Sequence, residues 1–399
     1  MIPGFDFSQI QTPFYLYDLD LLEQTATLAA REASRYGYFV HYAIKANHEP
    51  VVLEVLKRAG FGIDCVSGNE VNAALDYGFP ANAIAFAGVG KTDAEIRFAL
   101  ENDIFSLNCE SLEELEVIAE LASKAGKQAR VALRVNPGID AKTHHHITTG
   151  LNENKFGIPL EQLKAALDFC QATSHIQFIG LHFHIGSQIT SPDPFIRLCE
   201  KASEIWEAYD ISAYGGRVLN LGGGLGIHYE DPAANPVPDF ASFFRLVANH
   251  LEIPREVKVH FELGRSLVGQ CGSLVTKVLY VKKGQQKQFV ITDAGMTELL
   301  RPALYQAVHK IENPGSENPI QPYDVVGPIC ESSDIFAKEV MLPKTSRGDM
   351  LFIRSCGAYA QSMSLRYNLR SSAPAYFFRQ KEFFSNLSNQ PELSIPVFV

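Results

Sequence analysis

A lysine at the end of an apolar run is the first feature of this sequence that points to chemistry. The segment HYAIKAN, residues 41–47, has the pattern of a buried strand and places Lys45 where another apolar side chain is expected. An ammonium group is costly to bury unless it is paired or neutralised. An amine at this position can lose its charge by condensing with a carbonyl group. Lysines at strand ends are more often solvated, but Lys45 shares the inward parity of His41 and Ala43, so we treat it as a candidate nucleophile.

Polar or glycine residues follow most of the other apolar runs as well. The glycine cluster LGGGLG follows the seventh run, and a carboxylate, Glu262, lies at the end of the eighth. Strands with a purely structural role would not need polar or glycine residues at so many of their ends. The pattern therefore indicates that these residues bind a shared ligand. The residues at these ends are Lys45, Asp64, Asn108, Arg134, His184, Ser187, Gly222, Gly223, Gly224, Glu262 and Arg265.

Three kinds of site could use such a set. A class I aldolase would use Lys45 on a substrate carbonyl, and a metal hydrolase could recruit Asp64, His182 and His184. A pyridoxal-phosphate enzyme would use the whole set. Lys45 would hold the aldehyde, the glycines would offer N–H groups to the phosphate, and Glu262 would face the pyridine nitrogen. The third hypothesis explains more of the set with one ligand.

The apolar runs recur at regular intervals. The gaps between most of them have the amphipathic spacing of helices. Eight strand-and-helix units in series predict an α/β fold with a (β/α)8 barrel of the TIM type over residues 25–268. A doubly wound open sheet is the structural rival, but it usually carries its glycine-rich turn after the first strand. The runs are HYAIKAN (41–47), FGIDCVSG (61–68), AIAFAG (83–88), DIFSLN (103–108), ARVALRVNP (129–137), FIGLHFHIGS (178–187), RVLNLGGG (217–224) and VKVHFELGRS (257–266).

The stretch that follows, residues 269–399, changes character. It alternates short β-branched or aromatic runs with proline and glycine turns. This pattern predicts a mostly antiparallel C-terminal β domain, either a sandwich or a barrel-like sheet. The N-terminal segment TPFYLYDLD is strand-like and precedes the barrel, so residues 1–24 are expected to join the second domain.

Composition excludes several classes of function. The chain has 399 residues, 46% of them hydrophobic, with 35 Lys and Arg against 45 Asp and Glu, for a net charge of −10. An acidic chain without a basic cluster is a poor partner for nucleic acid or an anionic membrane, and neither a membrane span nor a secretory signal is apparent. Seven scattered cysteines fit reduced thiols in a cytoplasmic protein. The run THHH at 143–146 has no carboxylate at ligand spacing, and we predict no metal site.

Longer motifs span almost the whole chain. On these motifs the chain resembles the diaminopimelate decarboxylases, pyridoxal-phosphate enzymes of the class II ornithine, lysine and arginine decarboxylase family, which have an alanine-racemase-like barrel. The resemblance implies the barrel and a β domain built from both chain ends. The motifs are HYAIKAN, FGIDCVSGNE, VNPGIDAKTHHHITTGLNENKFGI, LHFHIGSQI, LNLGGGLGIHY, FELGRSLVG, TELLRPALYQAVH, VVGPICESSD and GAYAQSMSLRYNLR.

The resemblance also implies a role for each matching residue. Lys45 would hold pyridoxal 5′-phosphate covalently, His184 would stack on its ring, and Cys330 would donate a proton, so these three are the expected catalytic residues. The expected substrate-binding residues are Arg265, Arg301, Tyr305, Glu331 and Tyr359. The residues expected around the cofactor are Lys45, Asp64, His184, Ser187, Gly222, Gly223, Gly224, Glu262, Leu263, Gly264, Arg265 and Tyr359.

The activity that the resemblance implies is decarboxylation of meso-2,6-diaminopimelate to L-lysine and CO2, the last step of lysine biosynthesis. It implies a homodimer in which each partner supplies residues 330–332 to the other's site. Two alternatives remain: a decarboxylase of carboxynorspermidine or another basic amino acid on the same fold, and a pyridoxal-phosphate-binding protein without turnover. Arg301 separates them, because a guanidinium suits the distal carboxylate that the other substrates lack.

The chain departs from the family pattern at three positions. Leu263 replaces the usual proline of the Glu-Pro-Gly-Arg motif, and Ser333 and Ala360 stand where glycines are common. Leu263 is expected to alter the stiffness of its turn, and Ser333 and Ala360 to shift their loops slightly. None of the three changes removes a reacting group.

Overall fold

The chain enters the fold through a strand that is followed directly by a helix. The structure, a computed structural model, describes residues 7, 10–139, 155–316, 319–380 and 382–385. Strand β1, Phe14–Asp18, is buried from Phe14 to Tyr17. Asp18 caps helix α1, Leu19–Ser34, because its carboxylate accepts a hydrogen bond from the Leu21 N–H at 2.9 Å.

A closed barrel of parallel strands follows. The last strand of the barrel pairs back with the first, with His41 opposite Glu262. The predicted (β/α)8 barrel is therefore confirmed, and each of the eight apolar runs overlaps one strand. Within the described residues the barrel strands are β2 Phe39–Ala43, β3 Gly62–Cys65, β4 Ile84–Phe86, β5 Ser106–Cys109, β6 Ala129–Arg134, β7 Ile176–His182, β8 Val218–Asn220 and β9 Lys258–Leu263.

Three of the turns that join these strands to their helices are short and capped. Ser67 and Ser111 each accept a hydrogen bond from the backbone N–H three residues later, and Thr92 forms a capping box with Glu95. Because the eight barrel strands run parallel, their C-terminal ends meet at one rim of the barrel. The helices are α2 Pro50–Arg58, α3 Gly68–Asp76, α4 Asp93–Glu101, α5 Leu112–Ala125, α6 Leu160–Ala172, α7 Asp193–Ala208, α8 Phe240–His250 and α9 Arg265–Val268.

The opposite end of the barrel interior contains a buried histidine pair. His41 Nδ1 donates to the Ala83 carbonyl oxygen at 3.1 Å, and His41 Nε2 lies 2.8 Å from His260 Nδ1. The rings of Phe39 and Phe105 stack on His260, with centroids 4.8 and 4.9 Å away. Burial lowers the pKa of His260 to about 2, so its ring is neutral at neutral pH.

A second sheet joins the two ends of the chain. β1 pairs antiparallel with β10, Gly272–Lys283, and parallel with β16, Ala375–Arg379. The remaining described strands are β11 Gln288–Thr292, β12 Ile311–Glu312, β13 Ile320–Val326, β14 Ile335–Pro343, β15 Met350–Ile353 and β17 Glu382–Ser385. The order of strands in the described part of this sheet is β14-β13-β11-β10-β1-β16-β17, with β15 beside β10 and β12. Most neighbours are antiparallel, as predicted, although β11 and β13 also pair in parallel.

A short α-helix interrupts this second region. Helix α10, Arg301–Tyr305, covers a segment in which the sequence pattern predicted no helix. Pro302 in its first turn lacks the N–H that a helix start leaves unpaired, and Gln306 ends it in a left-handed conformation. No helix in the described part of the chain is long and apolar enough to cross a membrane. We retain the division into residues 25–268 and residues 1–24 with 269–399 as a proposal, although α1 begins before residue 25.

The two regions are joined where the first barrel strand ends. The Tyr359 N–H donates to the Ala46 carbonyl oxygen at 2.9 Å, and the Asn47 side-chain amide donates to the Gly357 carbonyl oxygen at 2.9 Å. The two residues that follow Lys45 are thus bonded to the C-terminal region.

Candidate active site

A cavity of about 360 Å³ opens at the C-terminal ends of the barrel strands. This rim is where the chemistry of such barrels is found. The cavity brings together most of the residues that the sequence analysis selected, from both regions of the chain. It is lined by Ala43, Lys45, Asp64, Phe156, His184, Ser187, Gly224, Leu225, Glu262, Gly264, Arg265, Arg301, Tyr305, Tyr359 and Met363.

Lys45 lies in the 3-10 turn that directly follows β2, and its amine points at a carboxylate. Its Nζ lies 2.8 Å from Oδ2 of Asp64 on β3. Burial disfavours the charged amine, but Asp64, Tyr359 and Glu262 outweigh it and hold the pKa of Lys45 above its usual value. Burial and Glu262 raise the pKa of Asp64 to about 6. In this ion pair Lys45 keeps its proton, so Asp64 holds a charged amine in the cavity.

Glu262, near the end of β9, is held by three other barrel strands. Its Oε1 accepts hydrogen bonds from the side-chain amides of Asn108 and Asn220, at 3.1 and 2.7 Å. Its Oε2 lies 3.0 Å from His182 Nε2. Although burial opposes ionisation, His182 and Lys45 hold the pKa of Glu262 well below its usual value. The result is a fixed, ionised carboxylate in the wall of the cavity.

The three consecutive glycines are required by close packing. A Cβ on Gly222 would lie 2.3 Å from the Phe183 carbonyl oxygen, and one on Gly223 would lie 2.0 Å from the Glu262 carbonyl oxygen. Gly222 and Gly224 also have positive φ angles of +69° and +112°. The N–H groups of Gly222 and Gly223 are used internally, by Asn220 Oδ1 and His184 Nδ1, whereas that of Gly224 donates to no described residue.

The ring of His184 stays neutral beside these glycines. Its Nδ1 accepts the Gly223 N–H at 3.3 Å. Desolvation and the nearby Arg134 lower the pKa of His184 to about 3. A neutral planar ring in the cavity wall suits stacking on another aromatic ring.

Two buried guanidinium groups face the cavity without a carboxylate partner. Arg265 and Arg301 are 6% and 4% exposed, and neither forms an ion pair within the described residues. Arg265 donates to the Ser187 hydroxyl at 3.1 Å and to the Tyr229 hydroxyl. The Arg301 guanidinium stacks on the Tyr229 ring at 4.6 Å. Two uncompensated buried cations require anions, so the cavity is built for an anionic ligand or ligands.

Other expected residues contribute differently. Leu263 is buried and its strand position pairs with Tyr42, so it acts through packing. Cys330 and Glu331 are exposed in the turn after β13 and do not line the cavity of their own chain. The histidine run at 143–146 lies outside the described residues. Among the described residues, no three His, Cys, Asp or Glu side chains group as metal ligands would.

Sequence reasoning missed several residues that hold the functional side chains. Asn220, which bonds Glu262, directly precedes LGGG in the sequence, and its position before that motif was the one available signal. The sequence analysis considered His182 only as a possible metal ligand, whereas in the structure it lies 3.0 Å from Glu262. Tyr229 and His309, which contact Arg301, carried no signal beyond their place in longer motifs.

Comparison with known proteins agrees with this barrel and its rim of charged residues. The family model described as the pyridoxal-dependent decarboxylase, pyridoxal binding domain, matches residues 20–269. The chain belongs to the pyridoxal-dependent decarboxylases. A curated diaminopimelate decarboxylase of Bacteroides thetaiotaomicron is 52% identical over 371 residues, covering 93% of this chain and 96% of the relative. Within the pyridoxal-dependent family, the chain therefore falls among the diaminopimelate decarboxylases.

Solved structures extend the likeness. The crystal structure of diaminopimelate decarboxylase from Helicobacter pylori complexed with L-lysine superimposes with a TM-score of 0.89 at 38% identity, covering 95% of this chain and 94% of that one. The M. jannaschii enzyme in complex with L-lysine gives 0.88 at 33% identity, over 95% and 90%.

The residues present fit pyridoxal 5′-phosphate, the cofactor of this family. Lys45 supplies the amine for the aldehyde, and the ionised Glu262 suits a protonated ring nitrogen. His184 offers a neutral stacking ring. The unpaired cation of Arg265 and the unused N–H of Gly224 suit a phosphate. The cofactor thus accounts for one of the two unpaired cations, and Arg301 remains.

Proposed function

We propose that this chain decarboxylates meso-2,6-diaminopimelate at its D-configured centre, giving CO2 and L-lysine in the last step of lysine biosynthesis. The observation that carries this proposal is Arg301, a buried guanidinium without a carboxylate partner in the described residues, in the same cavity as Lys45. Decarboxylation needs the cofactor, which would be held at Lys45. Among the substrates considered, only diaminopimelate has a second carboxylate, at the end of the molecule away from the reacting carbon, and Arg301 suits that carboxylate. The L-lysine complexes of two relatives support the choice.

One set of cavity residues would bind the cofactor, and another would bind the distal end of the substrate. Lys45, His184, Ser187, Gly224, Glu262 and Arg265 would hold pyridoxal 5′-phosphate, with Gly222, Gly223, Leu263 and Gly264 shaping the backbone beneath it. Bound there, the cofactor supplies an electron sink for the electron pair that the departing carboxyl group leaves behind. Asp64 orients the Lys45 amine through their ion pair. Arg301 and Tyr305 orient the distal end, and Tyr359, whose ring lies 4.8 Å from the Arg265 guanidinium, lines the same cavity.

We propose that the enzyme is a homodimer with shared sites. Cys330 and Glu331 are exposed and lie away from the cavity of their own chain. A second cavity of about 530 Å³ adjoins the first and shares Lys45, Tyr359 and Met363 with it, which leaves room beside the amine for a partner segment. In this arrangement Cys330 of the partner subunit gives a proton to the carbon that lost CO2, and Glu331 of the partner subunit binds the distal ammonium.

We also propose a cytoplasmic location. All seven cysteines are free thiols, and six of them are buried. Unpaired thiols are typical of reducing compartments.

The test of the proposed function is a decarboxylation assay with competing substrates. The enzyme is offered meso-diaminopimelate, carboxynorspermidine, ornithine, arginine and lysine, and CO2 release is measured for each. We expect turnover of meso-diaminopimelate to dominate. Faster turnover of another amine would assign the chain to that substrate, and cofactor binding without any CO2 release would indicate a non-catalytic protein.

Arg301→Gln tests the residue that carries the proposal. Losing one partner of a buried charge pair is costly, so we expect KM for meso-diaminopimelate to rise about 100-fold with a smaller change in kcat. Arg347→Gln, a change at an arginine that stacks on exposed Tyr280, is the control and should leave both constants unchanged. Unchanged selectivity in Arg301→Gln would remove the basis for the assignment.

A further inference from the structure

Arg301 is held by a histidine that lies outside the cavity. Arg301 Nη1 is 2.7 Å from His309 Nε2, and His309 Nδ1 is 2.8 Å from the Arg354 carbonyl oxygen. A carbonyl oxygen can only accept, so Nδ1 carries the hydrogen and Nε2 accepts from Arg301. Burial and Arg301 itself lower the pKa of His309 to about 3, so this acceptor persists at neutral pH.

Arg301 also contacts Tyr229, and hydrogen bonds join Tyr229 to the segments that carry His309 and Arg354. Its guanidinium lies over the Tyr229 ring, whose hydroxyl is occupied by Arg265. The Lys310 N–H donates to the Tyr229 carbonyl oxygen at 3.2 Å, and the Arg354 N–H donates to the Lys310 carbonyl oxygen at 2.8 Å. Tyr229 belongs to the barrel, whereas His309 and Arg354 belong to the C-terminal region. The position of Arg301 therefore depends on contacts from both regions.

The bond to His309 restricts which N–H groups Arg301 can offer. A guanidinium has five N–H donors in a rigid plane on a flexible side chain. With one Nη1 hydrogen bound by His309 and one face covered by Tyr229, both the plane and its rotation are fixed. The unused donors then face the anion in one orientation. Without the histidine, the side chain regains rotamers in which that orientation is lost.

We propose that His309 is a positioning residue that sets the preference of this enzyme for ligands with a distal carboxylate. It acts through Arg301 and contacts no reacting group. The inference rests on the proposed function, since it assumes that Arg301 binds that carboxylate.

Two variants of His309 separate its two hydrogen bonds. In His309→Asn, the side-chain amide can still donate to the Arg354 carbonyl oxygen but is too short to accept from Arg301. In His309→Gln, the longer side chain places its carbonyl oxygen near the position of Nε2 and restores the acceptor. The Asn variant therefore loses the hydrogen bond from Arg301, and the Gln variant restores it.

The readout is a pair of product-like ligands. L-Lysine keeps the distal carboxylate and ammonium of the substrate, whereas cadaverine lacks the carboxylate. Inhibition constants are measured for both, with KM and kcat for meso-diaminopimelate and the thermal midpoint. In His309→Asn we expect the inhibition constant of L-lysine to rise about 10- to 100-fold and that of cadaverine to change less than about threefold. KM should rise more than kcat falls, and His309→Gln should recover most of the L-lysine affinity.

The outcomes distinguish this inference from the proposed function. If the wild-type enzyme binds L-lysine no better than cadaverine, Arg301 does not recognise the distal carboxylate and the proposed function loses its basis. If the wild-type enzyme discriminates and His309→Asn discriminates equally well, the positioning role is wrong. Equal weakening of both ligands with a lower thermal midpoint, and no rescue by Gln, would also overturn it, because that pattern is expected of a structural histidine.

Discussion

At the scale of single residues, the site keeps each charge in a defined state through its neighbours. Glu262 stays ionised although it is only 7% exposed, because two amides and His182 surround its oxygens. His184 stays neutral only a few residues from His182, because desolvation and Arg134 oppose its protonation. The same barrel interior thus holds the ionised Glu262 and the neutral ring of His184. A bound pyridinium ring needs both, the carboxylate to balance its charge and the neutral ring to stack on it.

Glu262→Gln tests the charge of that carboxylate. The amide oxygen can still accept a hydrogen bond from Asn220 but cannot balance a cationic ring, so we expect kcat to fall about 100-fold or more. Glu262→Asp keeps the charge at a displaced position and should lose less. Steady-state kinetics with excess cofactor measure both, and Glu120→Gln, in an exposed ion pair, is the control. Wild-type kcat in Glu262→Gln would exclude a role for this charge.

At the scale of elements, the apolar runs were sufficient to predict the barrel. Each run is short and lies between helical segments, so its position did not depend on distant contacts. Two features could not be predicted in this way. Asn108 and Asn220 meet Glu262 across the barrel interior, and such contacts depend on closure and register, which one sequence does not reveal. Helix α10 is only five residues long, too short to show a helical period.

The turn after β8 is the element that we expect to tolerate least change. In Gly223→Ala the new Cβ would lie 2.0 Å from the Glu262 carbonyl oxygen, so the ends of β8 and β9 must separate. We expect a lower thermal midpoint and loss of cofactor absorbance after gel filtration. Gly90→Ala is the matched control, because a Cβ added there would meet nothing within 4 Å and the φ angle of Gly90 is not positive. A Gly223→Ala enzyme that keeps the cofactor as firmly as Gly90→Ala would contradict this packing argument.

At the scale of the whole molecule, the barrel encloses neutral histidines whose protonation opposes folding. In the unfolded chain His260 binds a proton below about pH 6.5, whereas in the fold its pKa is about 2. As pH falls from 6.5, the unfolded state gains a proton that the fold excludes. The free energy of unfolding therefore falls by about 1.4 kcal/mol per pH unit for this residue.

His260→Asn measures that contribution. The amide can donate to His41 as Nδ1 does but does not titrate. Between about pH 6 and 4, we expect its free energy of urea unfolding to decline less steeply than that of wild type, by about 1.4 kcal/mol per pH unit. Phe105→Leu, a change in the same stack without a titrating group, should keep the wild-type slope. Parallel slopes for wild type and His260→Asn would show that His260 binds its proton in the folded state.

Assembly is tested by mixing two inactive variants. Lys45→Ala lacks the amine and Cys330→Ala lacks the proposed proton donor, so each homodimer should be nearly inactive. If sites are shared, a mixed dimer has one site with both defects and one intact site. Random exchange of subunits would then restore about one quarter of wild-type activity. Activity that stays at the level of the separate variants after confirmed exchange would place Cys330 in its own chain's site or outside the chemistry.

The hydrogen bonds between residues 46–47 and residues 357–359 constrain how the sequence of this enzyme can evolve. The amine of Lys45 is positioned in part by a segment more than 300 positions downstream, so a substitution on either side of this junction affects the other side. A substitution on one side is tolerated when the other side compensates. We therefore expect the two stretches to be inherited as a matched pair, and chimaeras that join a barrel to a C-terminal region from a distant relative to fail first at this junction.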